Sequence, residues 1–94
     1  MPQTLVRLPA ALADLTGGRR SLDVAADGAD LRAVLDALAA EHPVLGRRLR
    51  DETGALRRYV NVYVDGVDVR GGAGLATAVA EGATIDVLPS VAGG

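Results

Sequence analysis

Ninety-four residues, 49% of them hydrophobic, allow one small domain with a single core, and that core must be aliphatic because Tyr59 and Tyr63 are the only aromatic residues. A formal net charge of -2, with arginine supplying all ten basic residues, excludes a protein built chiefly to bind nucleic acid or an anionic membrane. The absence of cysteine excludes disulfides, thiolate chemistry and a zinc-ribbon site, and fits a reducing cytosol.

From the N-terminus, Thr4 to Leu8 has strand character, with Thr4, Val6 and Leu8 facing the core, and Pro9 ends it. The apolar stretch Leu5 to Leu15 is broken by Arg7, Pro9 and Asp14, so it resembles neither a signal peptide nor a membrane span; the chain is expected to be soluble and cytoplasmic. Ala10 to Leu15 predicts a helical turn, Gly17-Gly18 a reversal, and Ser21 to Ala25 a strand with one wet face. Asp27 or Asp30 can cap the helix that follows. There Leu31, Val34, Leu35 and Leu38 fall at i, i+3, i+4 and i+7 and form one apolar stripe. His42-Pro43 stops that helix, since the residue before proline is pushed out of helical geometry.

Pro43 to Arg50 predicts a short second helical turn with Val44, Leu45 and Leu49 inward, and Asp51 to Gly54 a loop. Arg58 to Val64 reads as the best strand, with Val60, Val62 and Val64 on the core face and Tyr59, Asn61 and Tyr63 opposite. Asp65-Gly66 is a strong two-residue hairpin signal, so Val67 to Val69 should return as a partner strand. Gly71 to Gly74 reads as a flexible loop, Leu75 to Ala80 as a helical turn, Glu81-Gly82 as a bend and Thr84 to Leu88 as the last strand, released by Pro89. Two hairpins flanking a helix and closed by a C-terminal strand predict an α+β, β-grasp (ubiquitin-like) fold: a mixed sheet of about five strands with one main helix across one face, the last strand lying parallel beside the first. Residues 1–89 form this domain and residues 90–94 a flexible tail ending in Gly93-Gly94, with no repeat and no second domain.

Few residues elsewhere point to chemistry. His42 is the single histidine and reads as a helix terminator, because metal sites and nucleophilic triads need several such groups together. Ser21 and Ser90 have no matching base, and Gly71 to Gly74 lacks the spacing and lysine of a phosphate loop. Asp65, Asp68 and Asp86 do not form a calcium loop. Arg47, Arg48, Arg50, Arg57 and Arg58 make the one basic cluster, read as a solvated surface or as a dock for an acidic partner enzyme. Without interleaved aromatic residues it does not suit nucleic acid. Tyr59 and Tyr63 read equally as an interaction patch or as plain sheet surface.

The tail is different. Two terminal glycines add nothing to a core, and average glycine usage yields such a pair by chance in roughly 0.5% of chains, so what they offer is a thin, unhindered carboxylate. Joined to the order of elements, to Tyr59-Val60-Asn61-Val62-Tyr63-Val64, to Asp68-Val69-Arg70, to Gly74-Leu75-Ala76-Thr77-Ala78 and to Gly82 through Pro89, the ending Ser90-Val91-Ala92-Gly93-Gly94 resembles the MoaD/ThiS family of ubiquitin-like sulfur carriers. Within it the resemblance is closest to the CysO-type branch that serves cysteine biosynthesis. The resemblance implies that the chain is a protein co-substrate and not an enzyme, and that Gly94 is adenylated and then converted to a thiocarboxylate. With it goes the expectation that Gly93, Ala92 and Val91 thread into partner active sites; from the residues alone, Arg47, Arg48, Tyr59 and Tyr63 are a possible docking surface. The implied partners are an E1-like adenylyltransferase/sulfurtransferase, a pyridoxal-phosphate-dependent cysteine synthase and a zinc metallopeptidase. ATP, pyridoxal phosphate and zinc then belong to those partners, and no cofactor or metal is bound here. Two alternatives share the tail: the small subunit of molybdopterin synthase, and a ubiquitin-like modifier, which without lysine could not build lysine-linked polymers on itself.

Overall fold

The structure, a computed structural model, describes residues 3–25 and 30–89. Strand β1 (Thr4–Arg7) is followed by a short helix α1 (Ala10–Ala13) and strand β2 (Ser21–Val24). Helix α2 (Leu31–Glu41) and helix α3 (Pro43–Leu49) come next, then strands β3 (Val60–Val64), β4 (Val67–Asp68) and β5 (Thr84–Pro89). The sheet order is β2-β1-β5-β3-β4, with β1 and β5 parallel and every other pairing antiparallel. This is the β-grasp arrangement expected from the order of elements, with the last strand at the centre of the sheet.

The core follows from two periodicities. Leu31, Val34, Leu35 and Leu38 of α2 are all at most 1% exposed. They join the inward valines and isoleucine of the strands, Val6, Val24, Val62, Ile85 and Val87, in one cluster. Fully burying each such side chain is worth roughly 1.5–3 kcal/mol, so this contact outweighs anything on the surface. The helix starts at Asp30, whose Oδ1 accepts from the Ala33 amide at 3.0 Å; the other cap considered, Asp27, lies outside the described residues. It ends at His42, and α3 begins on Pro43 at the first helical position, where a missing N–H costs nothing.

The Asp65-Gly66 hairpin is as expected. Both residues take positive φ, 49° and 85°, which two-residue hairpins of the primed type require. Aspartate also serves there in a second way: its Oδ1 accepts from the Thr84 amide at 2.9 Å while its own amide donates to the Thr84 carbonyl at 2.8 Å, locking the hairpin tip to the start of β5.

Five local expectations change. Val44 points outward, 45% exposed, because Leu45 and Leu49, one turn apart, already take the inward face of α3. Strand β3 begins at Val60, and Arg58 and Tyr59 lie in a turn closed by the Val60 amide donating to the Arg57 carbonyl at 3.0 Å. The return strand stops at Asp68, since Val69 opens a 3-10 turn through Gly71 with its side chain buried at 2% exposure. Of Leu75 to Ala80, expected to be a helical turn, only Leu75 and Ala76 lie in one, the 3-10 turn Gly74–Ala76; Ala78 instead bridges to Asp30, and Val79 is buried. Pro89 belongs to β5, paired with Val60.

Candidate functional site

Gly94, Gly93, Ala92 and Val91 lie outside the described residues, so the structure speaks to the platform from which they depart. That platform is the end of β5. Its last register pairs are Asn61 with Leu88 and Val60 with Pro89. Two ladders hold β5 as far as Asp86, where the pairing with β1 ends; from there to Pro89 its direction is set by β3.

Beside this end lies an apolar concavity of about 180 Å3, formed by Pro9, Leu12, Tyr59, Val60, Val87 and Leu88, with Arg48 as the one charged residue on its rim. Pro9 brings the start of α1 against it, and the turn before β3 brings Tyr59. Tyr59 and Leu88 are large side chains left 56% and 46% exposed beside this concavity; Val67 and Val44, exposed to 68% and 45% elsewhere, flank no such hollow. On the far side of Leu88 the surface becomes ionic. There Arg7 and Asp86, cross-strand partners in β1 and β5, form a two-pronged pair with Nε to Oδ1 at 2.5 Å and Nη2 to Oδ2 at 2.8 Å. Hydrogen bonding to Asp86, and then its charge, raises the Arg7 pKa above its ordinary value. The pair is exposed and contributes little stability, but it fixes the polarity of that face.

The four residues expected to dock a partner are divided. Arg48 and Tyr59 meet at the apolar concavity. Arg47, the next residue along α3, is turned by about 100°. It lines a separate open groove with Asp36, Pro43, Gly46 and Asp51. Tyr63 lies half-buried on the open face of the sheet, opposite Asp86 on one side and Asp68 on the other. The basic cluster is likewise less uniform than its sequence implies. Arg50 is held by Asp36 at 2.8 Å with only 13% of its side chain exposed, and Arg57 donates from Nε to the Arg47 carbonyl at 2.7 Å.

At the edge of that groove Asp51 organises its own loop. Its Oδ1 accepts from the Thr53 hydroxyl at 2.5 Å, the Thr53 amide at 2.8 Å and the Ala55 amide at 3.3 Å. These bonds, the Thr53 hydroxyl first, lower its pKa below the ordinary carboxylate value. A depressed carboxyl stabilises the fold above its unfolded pKa and loses that contribution as pH falls through the folded one. Asp51 is therefore expected to titrate below the ordinary carboxylate value in a carbon-detected NMR titration, and Thr53→Ala to move its midpoint upward; an unmoved midpoint would assign the depression elsewhere.

In the sequence Arg70 is marked only as part of Asp68-Val69-Arg70, with no role of its own. Its guanidinium donates from Nη1 to the Arg58 carbonyl at 3.2 Å and Asn61 Oδ1 at 3.1 Å, and from Nη2 to the Arg57 and Val60 carbonyls at 3.0 and 2.8 Å. An isolated arginine after a hairpin carries no periodic signal, so only the tertiary structure reveals this. Among the described residues no three His, Cys, Asp or Glu side chains stand together as a metal site, and no helix is long and apolar enough to cross a membrane.

The comparisons with known proteins cover nearly the whole chain. A profile of the ThiS family matches residues 6–94. The sulfur carrier protein CysO of Mycobacterium tuberculosis is 45% identical over 91 residues, covering 95% of this chain and 96% of that protein. The crystal structure of M. tuberculosis CysO, described as an antigen, superposes with a TM-score of 0.83 at 41% identity, covering 94% of this chain and 99% of that one. A chain of the Amycolatopsis orientalis BexX/CysO complex superposes with a TM-score of 0.85 at 37% identity, covering 97% and 99%.

Proposed function

The chain belongs to the ThiS family, and from that premise we propose that it is a sulfur carrier for cysteine biosynthesis, with the carboxyl group of Gly94 as the sulfur-bearing atom set. The observation that carries this is the 45% identity to CysO, which runs through the domain and is not confined to a tail motif. ThiS and CysO proteins are small carriers, and a CysO protein is found in complex with another protein, BexX. The finer statement, that this chain performs no catalysis of its own and is acted on by three partners, is part of the proposal.

The chemistry required is simple at this end and demanding in the partners. A terminal carboxyl has an unperturbed pKa near ~3.5, so it is ionised at neutral pH and is a poor electrophile. In the proposed sequence an E1-like partner lets a Gly94 carboxylate oxygen attack the α-phosphorus of ATP, releasing pyrophosphate and giving an acyl adenylate. A sulfur nucleophile then displaces AMP to leave the thiocarboxylate. In a cysteine synthase that would use pyridoxal phosphate, the thiocarboxylate sulfur adds to an aminoacrylate and leaves a cysteine joined to Gly94; a zinc metallopeptidase then hydrolyses that bond with water, releasing cysteine and restoring the diglycine. Glycine at both terminal positions permits backbone conformations and a slender profile closed to other residues, which active sites of different shape all require. Such traffic places the protein in the cytoplasm.

Intact mass spectrometry after incubation with the E1-like enzyme, ATP and a sulfur source tests this. The expected product is heavier by one oxygen-to-sulfur exchange localised to Gly94, followed by a cysteine-sized adduct when the cysteine synthase and its aminoacrylate precursor are added. A charged chain that never acquires the adduct would move it to the molybdopterin branch, and an unchanged mass would overturn the carrier assignment.

A further inference from the structure

We propose that Arg70 is a positioning residue for the reactive tail, a role that rests on the carrier function above. Among the described residues its side chain meets only structural acceptors. It acts through the 57–61 segment.

The base of the arginine is fixed first. Asp68 Oδ1 accepts from the Arg70 amide at 2.9 Å, and the buried Val69 pins the same 3-10 turn to the core. From that base one guanidinium meets four acceptors: the carbonyls of Arg57, Arg58 and Val60, and the side chain of Asn61. None of these acceptors lies in the loop that carries Arg70. All belong to the turn and first residues that lead into β3, so what the arginine orders is a segment elsewhere in the chain.

That segment does two things at the sheet end. Tyr59 and Val60 supply one wall of the apolar concavity. Val60 and Asn61 pair with Pro89 and Leu88, the last ladder positions before residue 90. The site from which the tail departs and the surface beside it are thus set together by one planar, five-donor group. Without it, three carbonyls that converge on one point are left facing each other, and the turn loses what holds it together there. Lysine does not replace it, because a single ammonium nitrogen cannot span acceptors arranged around a fork.

Misplacing a reacting group by about 1 Å can lower a rate on the order of 100-fold even when the change lies far from the chemistry. The test compares charging of the wild-type chain, Arg70→Ala, Arg70→Lys and Val24→Ala by the E1-like enzyme. All four are assayed where circular dichroism shows them folded. Val24 is a core residue of β2, at the opposite edge of the sheet, and its truncation lowers stability without touching the tail's platform. Both Arg70 variants are expected to lose roughly tenfold or more in kcat with a smaller change in KM, since the domain still docks but delivers its tail poorly. Val24→Ala is expected to stay within about twofold of wild type. Failure of lysine to restore the rate separates geometry from charge, and Arg70→Lys alone decides the matter if the alanine variant does not fold. Normal charging of the Arg70 variants, or equal slowing by Val24→Ala, overturns this role while leaving the carrier function intact. A wild-type chain that is not charged at all overturns both.

Discussion

Removing Gly94 is expected to abolish thiocarboxylate formation while leaving the domain's melting temperature almost unchanged. The truncated chain still ends in a glycine carboxylate, that of Gly93, so its acid chemistry is the same. What changes is reach: the carboxyl stops about 3.5 Å short of the position the adenylating site must fill. A shortfall of that size removes an in-line attack on the α-phosphorus altogether, since reacting atoms need to approach within about 3–3.5 Å. Stability is expected to hold, because among the described residues the core cluster runs no further than Val87 and a terminal glycine has no side chain to add to it. Changes outside such features stay within about 0.5 kcal/mol. Mass spectrometry of the charging reaction and a thermal melt decide it together: retained charging would sink the tail-centred account, and a large fall in melting temperature would show that the end of the chain supports the fold.

The second large effect is on stability. Gly46 of α3 faces Ala39 of α2 so closely that a Cβ built on it would sit 2.5 Å from the Ala39 Cβ and 3.1 Å from its Cα. Two opposing terms then compete in Gly46→Ala. Alanine gains up to about 1 kcal/mol over glycine within a helix. Overpacking a close contact costs about 1–3 kcal/mol, and here the obstruction includes backbone, which cannot swing aside as a long side chain can. The loss wins. A net destabilisation of about 1–2 kcal/mol is expected, a fall of roughly 5–15 °C in melting temperature for a domain of this length. Ala39→Gly should recover part of it in the double variant, with a coupling of about 1 kcal/mol relative to the summed single changes. A stabilised Gly46→Ala chain would mean that the two helices separate easily.

Which parts of this were legible beforehand follows from where the information sits. Leu31, Val34, Leu35 and Leu38 advertise α2 because one face repeats, and Val60, Val62 and Val64 advertise β3 because alternate residues do. Asp65-Gly66 specifies its turn through local backbone preference alone. From these the β-grasp order could be assembled, including the parallel pairing of first and last strands. Tyr59 shows the limit. Its alternation with Asn61 and Tyr63 is genuine, yet it lies in a turn that Arg70 stabilises from across the loop, and no local pattern records a hydrogen bond made ten or more residues away. The same reason divides Arg47 from Arg48. Adjacent in sequence, they were one patch; on a helix they face different grooves, one mixed in charge and one apolar. Val44 was assigned inward by hydrophobicity when the available face of α3 was already taken by Leu45 and Leu49. The diglycine is conspicuous in sequence for a different reason: two glycines at the end of a chain are rare by composition alone, whatever the fold before them.

The place of β5 between β1 and β3 also has a mechanical meaning. The ladder to β3 runs to Pro89 while the parallel ladder to β1 ends at Asp86, so a pull along the strand at Pro89 meets the β3 ladder first and the parallel ladder behind it, both in shear. A partner that bound residues beyond Pro89 would be pulling against the middle of the sheet and not against one of its edges.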